Sequence, residues 1–149
     1  MEVKKILCAV DLEDTIAPSV EYAKMMASMT GASILVAYVI PAHTPYEDVY
    51  LSVNNQPNEV NNPNETIQKS MNALLAEQFA GMDATGVILV GRPSEERVKL
   101  AEEKGANLIV MGTHGRAGFD RLLFGSVAHE VVRAAPCPVM TVRPLMPKK

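Results

Sequence analysis

Tryptophan is absent, aromatic residues make up 5% of the 149 positions, and there are only two cysteines. Two thiols cannot build a disulfide framework, and no Cys-x-x-Cys or Cys/His spacing of a zinc site occurs. None is needed for stability: at this length folding buries about 68–70% of the unfolded surface, so one core suffices. Net charge is small as well, −3 from 14 basic and 17 acidic residues. Without a broad basic field, nucleic acid is excluded as the main partner. Long apolar runs are missing: the longest lies near Ile34 to Ile40, far short of the ~20 residues a membrane helix requires. Met1-Glu2-Val3-Lys4-Lys5 shows no signal-peptide anatomy. The expectation is one domain over residues 1–149 in a reducing cytoplasm. Asn64-Glu65-Thr66 has the form of a glycosylation sequon, which carries no meaning in that compartment.

What is present is an alternation. Apolar runs at about Lys5–Val10, Ser33–Ile40, Thr85–Val90, Leu108–Met111 and Val139–Arg143 are continuous, as expected of strands covered on both faces. Helical patterns separate them. The first, Ser19 to Thr30, places Val20, Ala23, Ala27 and the Met25/Met26/Met29 group on its apolar face, with Gly31 as its stop. The second, about Asn64 to Ala80, carries Ile67, Met71, Leu74, Leu75 and Phe79. The third follows Pro93, with Val98, Leu100 and Ala101 apolar and Gly105 as its stop; the fourth opens near Ser126 with Val127, Val131 and Val132. Such β-α alternation implies an α/β fold, an open five-stranded parallel sheet with helices on both faces and right-handed crossovers. The stretch at about 41–63 is long for a βα connection. Its asparagines and prolines read as a mobile insertion, either a lid or a tolerated surface loop. Tyr46, Tyr50 and Leu51 could form a short helix within it.

The densest signal is Gly112-Thr113-His114-Gly115, followed after nine residues by Gly125-Ser126, in the spacing Gly-x2-Gly-x9-Gly-Ser. It follows a strand and leads into a helix. Helix N-terminal N–H groups lack intrahelical partners and carry partial positive charge, and glycines let backbone approach a ligand closely. The pattern is neither the P-loop nor the Gly-x-Gly-x-x-Gly dinucleotide fingerprint. In open α/β sheets ligands sit beyond the carboxyl ends of the strands, where this loop and Asp11 both lie. From spacing alone Asp11 reads equally as a carboxylate for ribose hydroxyls, as a metal contact through water, or as a turn or cap residue. Asp14 reads as an aid to capping the first helix. Cys8, inside the first strand, reads as a small buried hydrophobe; nothing near Cys137 argues for a lowered pKa.

Lys4-Lys5-Ile6-Leu7-Cys8-Ala9-Val10-Asp11, Ala37-Tyr38-Val39-Ile40, Ala106 to Gly115 with the complete glycine motif, and Pro136-Cys137-Pro138-Val139-Met140-Thr141-Val142-Arg143 together resemble the universal stress protein family over nearly the whole chain. The resemblance is to the branch with the glycine motif, which binds ATP. It implies the adenine nucleotide alpha hydrolase-like strand order 3-2-1-4-5. Residue by residue, it implies that Asp11 contacts the adenosine side, with Ala9 and Val10 lining the pocket and Val39 meeting adenine through its backbone. Met111 borders the nucleotide, Gly112 and Gly115 face ribose and phosphates, and Gly125, Ser126 and Val127 contact phosphate. His114 and Arg116 neighbour the phosphates, with solvent exposure or surface ion pairs as their other reading. Leu12-Glu13-Asp14 lacks the serine often found after the acidic residue, so no hydroxyl contact is carried over there. The resemblance also implies a homodimer through Val139-Arg143.

ATP is thus the expected ligand, with Mg²⁺ or Mn²⁺ left open, together with a regulatory protein partner that the sequence does not name. No P-loop lysine and no evident base or water-positioning residue is seen. The reading therefore favours a nucleotide-responsive binding module over an enzyme. A slow ATP hydrolase or phosphate or nucleotidyl transferase, and a dimeric interaction protein with a vestigial site, are the alternatives.

Overall fold

The computed structural model describes residues 2–12, 17–41, 63–113 and 125–143. Nine elements follow in order: β1 (Lys5–Ala9), α1 (Pro18–Thr30), β2 (Ser33–Pro41), α2 (Pro63–Gln78), β3 (Ala84–Gly91), α3 (Pro93–Lys104), β4 (Leu108–Gly112), α4 (Ser126–Ala134) and β5 (Val139–Val142). The five strands form one sheet in the order β3-β2-β1-β4-β5, and every neighbouring pair is parallel. The expected α/β class and strand order are the observed ones. Element ends move by one or two residues, the ordinary fraying of such boundaries.

Strand side chains alternate between two cores. Ile6 and Cys8 of β1 with Val10 just beyond it, Ile34 and Val36 of β2, and Leu108 and Val110 of β4 meet Val20, Ala23 and Ala27 of α1 and Met71 and Leu74 of α2. On the other face, Leu7, Ala9, Leu35, Ala37, Ile109 and Met111 meet Leu100 and Ala101 of α3 and Ala128 and Val131 of α4. This two-sided burial explains the unbroken apolar runs of β1, β2 and β4. The edge strands β3 and β5 are only partly buried.

Both glycine stops are left-handed C-caps, Gly31 at φ 76° and Gly105 at φ 67°, a conformation that glycine adopts without a Cβ penalty. Helix α1 starts differently from expectation. Its N-cap position is Ala17, without a side-chain cap, and Pro18 opens the helix, its fixed φ suiting the first turn. Asp14 lies outside the described residues, as do positions 42–62 of the expected insertion, with Tyr46, Tyr50 and Leu51. Met25 and Met29 do not join the apolar face: they are 46% and 74% exposed, about half a turn round from the stripe of Val20, Ala23 and Ala27. Val132 is likewise on the outside, and Ala128 takes the buried place beside Val131.

Asn107 ties the start of the sheet together. Its Oδ1 accepts from the backbone N–H of Lys4 at 2.8 Å and of Lys5 at 3.0 Å. At β3 the sheet and α2 come so close that only glycine fits. A Cβ on Gly86 would stand 2.6 Å from Met71 Cγ and 2.9 Å from Met71 Sδ. Met71 is fully buried and has little space to yield. Gly86→Ala is therefore expected to lower unfolding free energy by about 1–3 kcal/mol through overpacking, read from the midpoint of a urea titration. An unchanged midpoint would show that Met71 swings aside.

Candidate functional site

The sheet changes direction of winding between β1 and β4. From β1 the chain moves outward through β2 to β3, then returns to β4 on the other side of β1 and continues to β5. The carboxyl ends of β1 and β4 thus stand side by side, and helices leave them in opposite directions. A crevice opens at such a switch point.

Strand β1 delivers Ala9, Val10 and Asp11 to this edge. Ala9 and Val10 are both 4% exposed, and each packs into a different core. Val10 N–H donates to the Ala37 carbonyl at 2.9 Å, which extends the β1–β2 pairing to the edge. Asp11, the next residue, is only partly buried. Val39 lies near the end of β2 and is buried. Met111 and Gly112 end β4; the Met111 side chain is fully buried in the core shared with α3 and α4, which leaves its backbone at the edge.

The start of α4 is brought to the same place by a backbone clamp. Gly125 N–H donates to the Thr113 carbonyl at 2.8 Å, and Thr113 N–H donates to the Val142 carbonyl at 3.0 Å. The residue that follows β4 therefore also anchors the helix start and the end of β5. His129 N–H donates to the Gly125 carbonyl at 2.9 Å, closing the first turn. Gly125 is the N-cap, without a side-chain cap bond. Ser126 is exposed and Val127 is partly buried. Of the residues singled out in the sequence, the structure brings Ala9, Val10, Asp11, Val39, Met111, Gly112, Gly125, Ser126 and Val127 to the carboxyl edge. His114, Gly115 and Arg116 lie outside the described residues.

Two residues escaped the sequence reading. Thr113 sat inside the glycine motif as a filler position, yet it is a buried polar residue at 5% exposure and holds the clamp. Arg97 was passed over because a charged residue in a helix ordinarily faces water. Here it lies on the inner stripe of α3, three residues after buried Ser94 and four before buried Ala101. Its register with these neighbours was the signal that could have found it. Its Nε is shut off from solvent and has no hydrogen-bond partner among the described residues. Burial pulls the Arg97 guanidinium below its usual range, and the Cys8 thiol and the Asp11 carboxylate push it back up.

On the rim, Arg92 Nη1 lies 3.2 Å from Glu95 Oε1 and Arg92 Nη2 lies 4.0 Å from Glu130 Oε2. Ser94 Oγ donates to Glu130 Oε2, joining the first turn of α3 to α4. Exposed pairs of this kind contribute ~0–1 kcal/mol. Among the described residues no group of three or more His, Cys, Asp or Glu side chains is gathered to hold a metal ion, and no helix is long and apolar enough to cross a membrane. Neither thiol is activated. Burial pushes Cys8 up to about 12, with Arg97 opposing, and burial also raises partly buried Cys137.

The model of the Universal stress protein family matches residues 2–143. Universal stress protein MJ0577 of Methanocaldococcus jannaschii is 28% identical over 153 residues, covering 94% of this chain and 94% of its own. Universal stress protein MJ0531 of the same organism is 33% identical over 150 residues, covering 98% of this chain and 84% of its own. The solved structure of MJ0577 matches with a TM-score of 0.80 at 26% identity, over 99% of this chain and 100% of that one. The structure of the universal stress protein from Archaeoglobus fulgidus in complex with dAMP matches with a TM-score of 0.56 at 25% identity, over 95% of this chain and 98% of that one.

The Cys8 environment makes a prediction about alkaline stability. The folded thiol holds its proton to about 12 against an ordinary thiol value of 9.0, so the unfolded state loses its proton first as pH rises. The contribution of neutral Cys8 is complete below pH 9.0 and is lost progressively towards about 12. Over that window the wild-type unfolding free energy is expected to fall more steeply than that of Cys8→Ala, by up to about 1.4 kcal/mol per pH unit. Parallel pH profiles in urea titrations would contradict it.

Proposed function

The chain belongs to the universal stress protein family, and we propose that it binds ATP in the crevice between the carboxyl ends of β1 and β4 and acts as a nucleotide-responsive regulatory module. The observation that carries this reading is the Thr113–Gly125 clamp. It holds the unpaired N–H groups at the start of α4 beside the end of β4, across the switch point from Asp11. A phosphate chain placed against Ser126 and Val127 meets those donors and the positive end of the helix dipole. Asp11 accepts hydrogen bonds from the ribose hydroxyls. Ala9, Val10 and Met111 have their side chains in the cores, so their part is backbone contact and a firm floor. Val39 contacts adenine through its backbone. Gly112 and Gly115 let the loop approach the sugar and phosphates, with His114 and Arg116 beside them. Mg²⁺ or Mn²⁺ would accompany the phosphates and offset their charge. The dAMP complex of the A. fulgidus relative supports an adenine nucleotide as the ligand class.

A helix terminus alone contributes roughly 0.3–2 kcal/mol to anion binding. Adenine burial and several backbone N–H contacts must add to it. The sequence motif lacks a P-loop lysine and an evident base, so the role is recognition, with hydrolysis slow at most. Signalling to a protein partner in the cytoplasm, and a homodimer formed through the partly buried edge strand Val139–Val142 with Arg143, complete the proposal. An edge strand offers unpaired backbone groups that a second copy can satisfy.

Titration calorimetry with ATP and Mg²⁺ is expected to give saturable binding that Gly115→Arg combined with Gly125→Arg abolishes. Absence of heat at millimolar ATP, or equal binding by the double variant, overturns the reading. Light scattering at tens of micromolar is expected to report twice the chain mass of 16.1 kDa; a monomeric mass removes the dimer.

A further inference from the structure

Both helices on one face of the sheet, α3 and α4, start at the carboxyl edge and pack against each other. Their starts are joined by side chains. Ser94, in the first turn of α3, is buried, and its hydroxyl donates to Glu130 Oε2 of α4. Arg92, the N-cap of α3, follows the last residue of β3. Its Nη2 lies 4.0 Å from the same Glu130 oxygen, and its Nη1 lies 3.2 Å from Glu95 Oε1. One guanidinium therefore faces two carboxylates. Glu130 stands four residues after Ser126, so the two share a face of α4, with Cβ atoms about 5–6 Å apart. Side chains on a helix lean towards its N-terminus, and the contacts with Ser94 and Arg92 hold the Glu130 carboxylate beside the first turn of α3. A negative charge thus stands about one helical turn from the N–H groups that the nucleotide reading gives to phosphate.

A carboxylate in that place opposes phosphate, and the cation beside it decides the balance. The Arg92 side chain is 62% exposed and is held by surface pairs, which are weak. It exchanges one anion for another at little cost. A phosphate offers it more charge than a carboxylate does, and two oxygens for its planar fork. The N–H groups at the start of α4 take one phosphate, and the guanidinium stands within reach of a phosphate beyond it. We propose that Arg92 and Glu130 set the phosphate preference of the nucleotide site: Arg92 takes the outer phosphates of a di- or triphosphate in exchange for Glu130, while the Glu130 carboxylate, retained by Ser94, opposes them. This rests on the nucleotide reading above and adds to it a choice by phosphate number.

The test compares calorimetric binding of ATP, ADP and AMP, with Mg²⁺, to wild type, Arg92→Gln, Arg92→Lys and Glu130→Gln. Wild type is expected to prefer ATP to AMP. Arg92→Gln is expected to weaken ATP about tenfold, the size of one lost charge-assisted hydrogen bond. It is expected to leave AMP within about twofold of wild type, because AMP does not use that bond. Arg92→Lys keeps the charge without the fork, and its ratio of ATP to AMP affinity is expected to fall between the two. Glu130→Gln still accepts from the Ser94 hydroxyl but loses the opposing charge, so the ratio is expected to rise. The two neutralising changes thus act in opposite directions, whereas a contact that merely props α3 against α4 weakens all three nucleotides together in both. Thermal unfolding of each variant checks the fold, and Arg92→Lys carries the test should Arg92→Gln fail to fold: it must then show a lowered ratio. Equal weakening of all three nucleotides by Arg92→Gln, or unchanged ATP binding, overturns the inference. So does a ratio that Glu130→Gln lowers or leaves as it was, or a wild type that binds ATP and AMP alike, while leaving nucleotide binding itself standing. A wild type that binds none of the three removes the nucleotide reading and this inference with it.

Discussion

Strand β1 is buried on both faces and hydrogen-bonded along both edges, to β2 on one side and β4 on the other. After partly buried Lys5, its remaining four residues are fully enclosed and leave no room for a polar exception. Ile6 and Cys8 close one core, and Leu7 and Ala9 close the other. Because β1 is the strand from which the chain departs both ways, its carboxyl end is also where the sheet cannot be covered by its own connections. Helices α1 and α2 go to one face and α3 and α4 to the other, and the gap between them falls above Val10 and Asp11. The hydrophobic requirement of one strand thereby sets the position of the crevice.

The second constraint is local and polar. Thr113 is engaged through both backbone groups, its N–H at Val142 and its carbonyl at Gly125. One buried residue ties the end of β4, the end of β5 and the start of α4 together. Buried backbone groups must be paired, so Gly125 cannot leave Thr113 without unpairing the Thr113 carbonyl. The clamp holds Gly125, at the start of α4, against Thr113, next to the end of β4. It also separates two roles within one motif. Gly125 sets the geometry of the helix start, while Ser126, on the exposed side, is available to a ligand.

Arg97 shows the cost of reading charge as exposure. The helix that carries it has charged residues at Glu95, Glu96, Lys99, Glu102, Glu103 and Lys104, and one more attracts no notice. Only the packing of α3 against the sheet turns position 97 inward. Cys8 is the counterpart: an apolar strand already implied that it was buried, and its raised pKa follows from the same enclosure.

Element types, their order and most of each buried stripe were legible in the sequence, because periodicity, glycine stops and prolines at helix starts act over a few neighbouring residues. Val20, Ala23, Met71, Leu74, Leu100, Ala101 and Val131 announce themselves this way. The misplaced Met25, Met29 and Val132 mark the limit: an apolar side chain is tolerated on either side of a helix, so composition alone does not say which face meets the sheet. Asp11 and the glycine motif were legible as candidates, since strand ends and helix starts are local features. The sequence by itself determined an alternating α/β chain with a polar residue and a glycine loop at strand ends. Tertiary structure alone decided that Thr113 joins β5 to the start of α4, that Asp11 and the start of α4 stand at the same edge of the sheet, and that the Arg97 Nε is enclosed. These are contacts between residues far apart in the chain, and they arise only when the two faces of the sheet have been covered.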